Sequence, residues 1–321
     1  MVKKTPTLFI VVPCFNEEEA IVDNSKIFLD KLNELEKNKV ISKKSKILFV
    51  NDGSKDKTEE LLQDLVKKSN KYAMISFVTN AGHQNAIYAG MMMAKDYADI
   101  VITIDADLQQ DINAIEKFID SYKKGNDVVY GVRNDRSSDG AFKKLTASTY
   151  YKIMQFLGSN VIENSADYRL LSKKALDSLA NYKETNLFLR GLIPYMGFNS
   201  DKVYFDVKER TQGESKYTFK KMFNLAISGI TSFSNTPIHL ICFVGGGIFF
   251  IGLLLLIINI ICIIIGCRIN WLMSILFILF GITIGSIGVV GEYVGTTNQE
   301  VKNRPRYVID YAIIKDDKNE K

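Results

Sequence analysis

Short apolar runs alternate with stretches of helical periodicity through residues 1–135 of the chain. This alternation is typical of repeated strand–helix units whose strands form a mostly parallel sheet that is buried on both faces. The apolar runs are rich in β-branched residues and end in polar or glycine-containing segments, as strands do. The pattern predicts an α/β domain with strands near residues 7–12, 46–50, 73–79, 99–104 and 127–132.

Two longer apolar runs follow, at residues 238–265 and 271–292. Each reaches the roughly 20 residues that a helix needs to cross about 30 Å of hydrocarbon. Because only residues 266–270 separate them, we predict a two-helix transmembrane hairpin in a cell membrane, with the lipid bilayer as a partner. Lysine and arginine flank the hairpin, whereas its turn holds only Arg268, which predicts that the large domain and both termini are cytoplasmic.

The composition argues against several classes of protein. The formal net charge is +5, and most lysines alternate with acidic residues as on solvated helix faces, so nucleic-acid binding is not predicted. The four cysteines lack the spacing of a zinc site or a disulfide framework, which agrees with a cytoplasmic domain. His83 and His239 have no partners at metal-ligand spacing, so we interpret both as structural.

Polar segments follow four of the predicted strands. In an open α/β sheet, ligands bind beyond the carboxyl ends of the strands, where such segments converge. No G-x-G-x-x-G sequence follows a strand and no Walker A sequence is present, so a classical dinucleotide or P-loop enzyme is not indicated. The four segments are Pro13–Glu17, Asn51–Ser54, Asn80–Gln84 and Asp105–Gln109.

The last of these segments carries an Asp-x-Asp pair. Asp105 and Asp107 stand just past a strand, where two carboxylates can converge on one hard divalent cation. Such a cation can neutralise a diphosphate leaving group. Solvated loop acids are the alternative for an isolated pair, and a turn with a helix cap is the alternative for Asn51–Ser54.

Taken in order, the segments resemble motifs of the family 2 glycosyltransferases. A fifth motif, Ala166–Ser172, with Arg210, Gly213–Tyr217 and the two long apolar runs, is similar to the polyprenyl-phosphate glycosyltransferases related to dolichol-phosphate mannose synthase. The resemblance implies a cytoplasmic GT-A-like nucleotide-sugar-binding domain with a mostly parallel sheet, followed by interfacial helices and the transmembrane hairpin. The implied boundaries are 1–215 for the catalytic domain, 216–236 for juxtamembrane amphipathic helices, 237–295 for the transmembrane helices and 296–321 for a cytoplasmic tail.

The resemblance also implies roles for individual residues. Asp105 would face the nucleotide or the metal, and Asp107 and Gln109 would hold Mg²⁺ or Mn²⁺. The chain departs from the family after this motif, where Gln110 to Asn113 stand in place of an acidic residue and prolines. The other residues implied around the nucleotide sugar are Pro13, Phe15, Glu17, Asp52 and Gly82.

Basic residues are expected beside the phosphates. Negative charge builds on the β-phosphate as the diphosphate leaves, and arginine can stabilise it together with a metal. Arg133, just after the fifth strand, and Arg210 are the candidates for this contact. Lys216 and Tyr217, with Arg210, are the candidates for the acceptor phosphate.

Asp167 is the residue that the family nominates as the catalytic base. A polyprenyl phosphate has a second pKa of about 6 and is therefore substantially ionised at pH 7, so it requires no strong base. We expect Asp167 to orient the acceptor or to accept a residual proton. A simple ion pair with the neighbouring Arg169 is the alternative.

The resemblance implies metal-dependent, inverting transfer of one sugar from a nucleotide sugar, expected to be a UDP-hexose, to undecaprenyl phosphate. A separate flippase and a downstream glycosyltransferase would then use the lipid-linked sugar for cell-envelope glycan modification. A processive polysaccharide synthase is disfavoured because Trp271 is the only tryptophan and no Gln-x-x-Arg-Trp motif is present. A membrane-tethered binding protein with a decayed site is a third class. The Gly281-x-x-x-Gly285 and Gly291-x-x-x-Gly295 spacings would permit close helix approach, either within the hairpin or between subunits, and we expect a homo-oligomer.

Overall fold

The computed structural model describes residues 5–134, 162–185, 187–206 and 272–315. The chain divides into two compact units. The first comprises Met1–Tyr151, Asn160–Thr218 and Pro305–Lys321, and the second comprises Lys152–Ser159 and Phe219–Arg304. The predicted domain boundary at residue 215 and the predicted juxtamembrane helices at 216–236 lie outside the described residues.

An eight-stranded sheet forms the centre of the first unit, in the order β7-β5-β6-β4-β1-β2-β3-β8. All five predicted strands are present, and the α/β class is confirmed. The sheet is mixed, because β6 and β8, which were not predicted, run antiparallel to their neighbours. The strands are β1 (Leu8–Cys14), β2 (Lys46–Asn51), β3 (Tyr72–Phe77), β4 (Ile100–Thr103), β5 (Val128–Arg133), β6 (Ser165–Ser172), β7 (Ser200–Phe205) and β8 (Ile309–Ile313).

The helices of the first unit cover the sheet. Leu8, Ile10 and Val12 of β1 share a core cluster with Phe28 and Leu32 of the first helix, so alternate strand positions face this layer. The helices are α1 (Ile21–Lys37), α2 (Thr58–Lys68), α3 (His83–Ala94), α4 (Ala114–Lys123), α5 (Lys173–Leu179) and α6 (Leu189–Tyr195). The described part of the second unit contains α7 (Leu272–Lys302).

Helix α3 packs closely against the sheet at Gly90. A Cβ at this position would lie 2.3 Å from Val11 Cγ1 and 2.8 Å from Val50 Cγ2. The absence of a side chain therefore sets the distance between α3 and strands β1 and β2. Because α3 begins at His83, this contact also fixes the position of residues at the carboxyl edge of the sheet.

The C-terminal segment covers the edge of the sheet at β3. Strand β8 pairs with β3, and Tyr307 stacks on Phe77 with 5.1 Å between ring centroids. Tyr311 donates to Glu59 Oε1 (2.7 Å), and Lys315 Nζ donates to the carbonyl of Val66 near the end of α2 (2.7 Å). Part of the predicted cytoplasmic tail is thus an integral strand that protects an otherwise exposed sheet edge.

The predicted transmembrane hairpin is wrong. Within the described ranges, no helix is both long and apolar enough to cross a membrane. The same finding overturns the predicted two-span location in the cell membrane. Helix α7 contains the second predicted span but continues to Lys302 through Glu292 and Glu300, so that apolar run is not a helix by itself. The run at 238–265 lies outside the described residues.

We expect Gly90→Ala to destabilise the first unit. The added methyl group meets stiff β-branched side chains, and overpacking of this kind costs about 1 to 3 kcal/mol, which exceeds the roughly 1 kcal/mol gained in helix propensity. Thermal unfolding followed by circular dichroism measures the loss. Lys68→Ala, at an exposed position near the end of α2, is the control and should leave the unfolding midpoint unchanged. An unchanged unfolding midpoint for Gly90→Ala would contradict the close packing.

Candidate active site

The first two polar segments interlock beyond the carboxyl ends of β1 and β2. The amide of Asn16 donates to Ser54 Oγ (3.1 Å), and the Asn16 side chain accepts from the amide of Lys55 (2.9 Å). The amide of Glu17 donates to Thr58 Oγ1 at the start of α2 (2.8 Å). These bonds hold the segment that carries three residues predicted at the nucleotide sugar, namely Pro13, Phe15 and Glu17.

Asp52 fastens the third polar segment to the second. Its carboxylate is 3% exposed and accepts from the amides of Ala81 (2.7 Å) and Gly82 (3.0 Å) and from Asn80 Nδ2 (3.0 Å). Burial raises the pKa of Asp52, and the two amide donors offset part of that rise. Gly53 permits the close approach, because a Cβ there would lie 2.5 Å from the Asn80 nitrogen. Asp52 therefore holds the loop from which α3 begins.

The fourth segment is organised around Asp105. Gln110 Nε2 donates to Asp105 Oδ2 (2.6 Å), and Gln110 Oε1 accepts from the Asp105 amide (3.0 Å). The other carboxylate oxygen, Oδ1, is buried and accepts no hydrogen bond from the described residues. It lies 3.5 Å from His83 Nε2. Asp107 accepts from the amide of Gln109 (3.1 Å), which closes the loop locally. The departure from the family at Gln110 thus supplies the partner that orients Asp105.

A buried ionic cluster surrounds Asp167 on β6. Arg169 donates to Asp167 Oδ1, as does Arg190 Nε (3.3 Å). Arg190 Nη2 donates to Oδ2 (2.9 Å), and so does Gln84 Nε2 (3.3 Å). Gln84 Oε1 in turn accepts from the amide of Leu189 at the start of α6 (3.2 Å). The cluster therefore joins β6, α3 and α6 at one edge of the sheet.

The charges of the cluster move its pKa values in opposite directions. Burial disfavours the ionised form of Asp167, but Arg190, His83 and Arg169 outweigh it and hold the Asp167 pKa well below its usual range. Burial is the main reason that the pKa of Asp105 is raised. Burial alone would lower the pKa of His83, yet Asp167 and Asp105 raise it. Asp167 is therefore a firmly ionised carboxylate, and Asp105 is the more easily protonated acid.

The structure brings Asp105 and Asp167 together through His83. His83 Nε2 lies 3.5 Å from Asp105 Oδ1 and 3.7 Å from Asp167 Oδ2. Arg133 is the last residue of β5, and its amide donates to the carbonyl of Asn164 (3.2 Å). Three predicted site residues lie outside the described residues: Arg210, Lys216 and Tyr217.

Four contributors to the site were not predicted. His83 was interpreted as structural, but its imidazole contacts both acids. Gln84 lies in the segment Asn80–Gln84, so its position after β3 could have indicated that it belongs to the site. Gln110 was noted only as a departure from the family. Arg190 had no signal, because it lies on α6 and does not follow a predicted strand.

The predicted metal set is Asp105, Asp107 and Gln109. Across the described part of the chain, no group of three or more histidine, cysteine, aspartate or glutamate side chains is placed to hold a metal ion. The predicted set offers two carboxylates and one amide, so that finding does not concern it directly. Within the part of the chain that the structure describes, the buried Asp105 Oδ1 accepts no hydrogen bond, so it is the oxygen in this set that a cation would suit best.

Comparison with known proteins defines the class. The family described as Glycosyl transferase family 2 matches residues 9–180, a range that contains every cluster residue except Arg190. The chain therefore belongs to glycosyl transferase family 2, and it is an enzyme of the glycosyltransferase class. The family resemblance stated from the sequence motifs is confirmed.

Several glycosyltransferases are similar to this chain over almost its whole length. The chain is 44% identical to the uncharacterized glycosyltransferase YkoT of Bacillus subtilis, over 97% of this chain and 93% of that protein. It is 38% identical to the prophage bactoprenol glucosyl transferase homolog of Escherichia coli, over 94% of this chain and 97% of that protein. The bactoprenol glucosyl transferase of Shigella phage SfII is also 38% identical, over 94% and 96% respectively.

We expect Asp52→Asn to loosen the loop that precedes α3. The carboxylate of Asp52 accepts hydrogen bonds from three N–H groups. In the variant, the NH2 group of asparagine faces one of these donors and cannot accept from it. An unsatisfied buried group costs about 1 to 3 kcal/mol. Hydrogen exchange at the amides of Ala81 and Gly82 should accelerate, and the unfolding temperature should fall. Asp64→Asn, at an exposed pair with Lys67, is the control and should change neither quantity. Unaltered protection of both amides in Asp52→Asn would refute the role given to this carboxylate.

Proposed function

We propose that this enzyme transfers a single sugar from a nucleotide sugar to a polyprenyl phosphate. The observation that carries the proposal is a pair of linked acids, Asp105 and Asp167, at the carboxyl edge of the sheet in a family 2 glycosyltransferase. Relatives that match almost the whole chain are named bactoprenol glucosyl transferases, which supports the lipid acceptor and makes UDP-glucose the first donor to test.

A divalent cation, Mg²⁺ or Mn²⁺, fits the acidic segment. No described residue donates a hydrogen bond to the buried Asp105 Oδ1, and carboxylate and amide oxygens are ligands that hard cations prefer. Asp105, Asp107 and Gln109 would hold the ion. When bound, it would supply positive charge for the diphosphate leaving group.

The chain's own residues would bind and orient the two substrates. The loops held by Asp52 and Asn16 would receive the nucleotide, with Pro13, Phe15, Glu17 and Gly82 around it. The proposed phosphate contacts are Arg133 and Arg210 for the donor, and Arg210, Lys216 and Tyr217 for the acceptor. Direct attack of the acceptor oxygen on the anomeric carbon would invert its configuration.

Further partners follow from the product. A lipid-linked sugar made on one side of a bilayer needs a separate flippase to reach the other side, and a second glycosyltransferase to move the sugar onto a glycan. We propose both as downstream partners, and we propose a homo-oligomer from the glycine spacing in α7.

The reaction is tested directly with purified protein, labelled UDP- and GDP-sugars and undecaprenyl phosphate. We expect one labelled lipid-linked monosaccharide, no product in EDTA and recovery with Mg²⁺ or Mn²⁺. Polymeric product would favour the processive synthase instead. Absence of transfer from every donor, with wild-type folding confirmed, would refute the proposal.

Asp107→Ala should lower turnover by at least about a hundredfold, because charge stabilisation by a catalytic metal is worth several kcal/mol. The fold should be retained, since Asp107 lies in the loop after β4 and outside the core cluster. Activity and thermal unfolding are measured together. Asp120→Ala, at an exposed position on the following helix α4, is the matched control and should behave as wild type. Full turnover in Asp107→Ala would remove this residue from the metal site.

A further inference from the structure

Both carboxylate oxygens of Asp167 accept hydrogen bonds from other side chains of the protein. Oδ1 accepts from Arg169 and Arg190, and Oδ2 accepts from Arg190 and Gln84. The side chain is only 4% exposed. A general base must bring an oxygen within hydrogen-bond reach of the proton that it removes. Here both oxygens are already used to hold cationic and amide groups.

Arg190 is the more exposed of the two guanidinium groups that contact Asp167. Its side chain is 27% exposed, whereas that of Arg169 is 1% exposed. Both Nε and Nη2 of Arg190 contact Asp167, a two-point attachment that fixes the plane of the guanidinium. The backbone beside it is also fixed, because the amide of Leu189 donates to Gln84. Arg190 is thus held rigidly at the exposed side of a buried ionic cluster.

The buried guanidinium of Arg169 is only partly satisfied by the described residues. Arg169 and Arg190 both contact Asp167, and among the described residues no hydrogen-bond partner meets Nε and Nη1 of Arg169. Asp105, the other acid of the site, acts electrostatically on Arg169, but Gln110 orients its carboxylate and His83 faces it. Buried cations are stabilised when more anionic oxygens pair with them, so an anion bound beside Arg190 would be favourable at this edge of the site.

We infer that Arg190 is a substrate-phosphate-binding residue and that Asp167 is the positioning residue that holds it in place. This inference rests on the proposed function and names the group at that site that meets phosphate. The phosphate is either the diphosphate of the donor or the phosphate of the lipid acceptor, since both present the oxygen pair that a guanidinium recognises.

The first experiment measures binding by titration calorimetry and kinetics in wild type, Arg190→Gln and Arg190→Lys. Loss of a charge-assisted, two-point contact should weaken binding about tenfold to a hundredfold. If Arg190 contacts the donor, Arg190→Gln lowers the affinity for UDP or GDP but not the affinity for the free nucleoside. If Arg190 contacts the acceptor, Arg190→Gln raises KM for undecaprenyl phosphate and leaves the nucleotide affinity unchanged. Arg190→Lys should lie between, because lysine keeps the charge without the planar fork.

The control for this experiment is Lys174→Gln, which removes one positive charge from an exposed position of the same unit. Thermal unfolding of each variant identifies any loss of fold. If folded Arg190→Gln keeps both its nucleotide affinity and its KM for undecaprenyl phosphate, the inference is overturned but the proposed function is not. Failure of the wild-type protein to bind UDP or GDP would count against the proposed function and overturn the inference with it.

The second experiment separates positioning from base catalysis at Asp167. If Asp167 only positions Arg190, then Asp167→Asn, Arg190→Gln and the double variant should share one defect in turnover, because the two residues act as a unit. That defect should persist at every pH between about 6 and 9. Recovery of wild-type turnover by Asp167→Asn above the second pKa of the acceptor phosphate, about 6, would identify Asp167 as a base instead.

Discussion

The buried pair of Asp167 and Arg169 in the middle of the sheet is the constraint on which the site depends. Charges removed from water are costly unless they are paired and hydrogen-bonded. Strand β6 lies between β4 and β5, so neither side chain can reach solvent along the strand. The sheet therefore requires donors from outside it, and α3 and α6 supply them through Gln84 and Arg190. The hydrogen bonds that stabilise the buried charge on β6 therefore also bring α3 and α6 to the same edge of the sheet.

The positions of these helices are set by small residues and by backbone bonds. Gly90 lets α3 lie close to β1 and β2, and Asp52 holds the loop from which α3 begins. As a result, His83 at the first turn of α3 stands between Asp105 and Asp167. Residues from separate strands and helices are thus fixed before any substrate is present, which is the arrangement that precise positioning requires.

Sequence reasoning succeeded where burial produces a regular pattern and failed where charge interrupts it. Strands β1 to β5 are largely apolar runs and could be predicted, whereas the parallel strand β7 is mostly exposed and was missed. Strand β6 carries Asp167 and Arg169 in a fully buried position, and this breaks the apolar signal of a central strand. Strand β8 has partly buried and exposed residues and pairs with β3, which lies far from it along the chain. Such long-range pairing has no local signature in one sequence.

Prediction of the site followed the same rule. Acids that directly follow predicted strands, such as Asp52 and Asp105, were found because strand ends share an edge. His83 and Arg190 were missed because their importance depends on partners contributed by distant elements. The long apolar run at 271–292 misled the prediction in the opposite direction, since a run of apolar residues does not show where its helix ends.

The state of Asp167 bears on which acceptor suits the enzyme. A sugar hydroxyl must lose its proton to become a good nucleophile, and that step calls for a base with a pKa near the working pH. Two guanidinium groups and His83 instead hold the pKa of Asp167 well below its usual range, which makes it a weak base. A phosphate acceptor, with a second pKa of about 6, is already ionised and needs only to be positioned. The cluster is therefore better suited to transfer onto a phosphate oxygen than to chain elongation on a sugar hydroxyl.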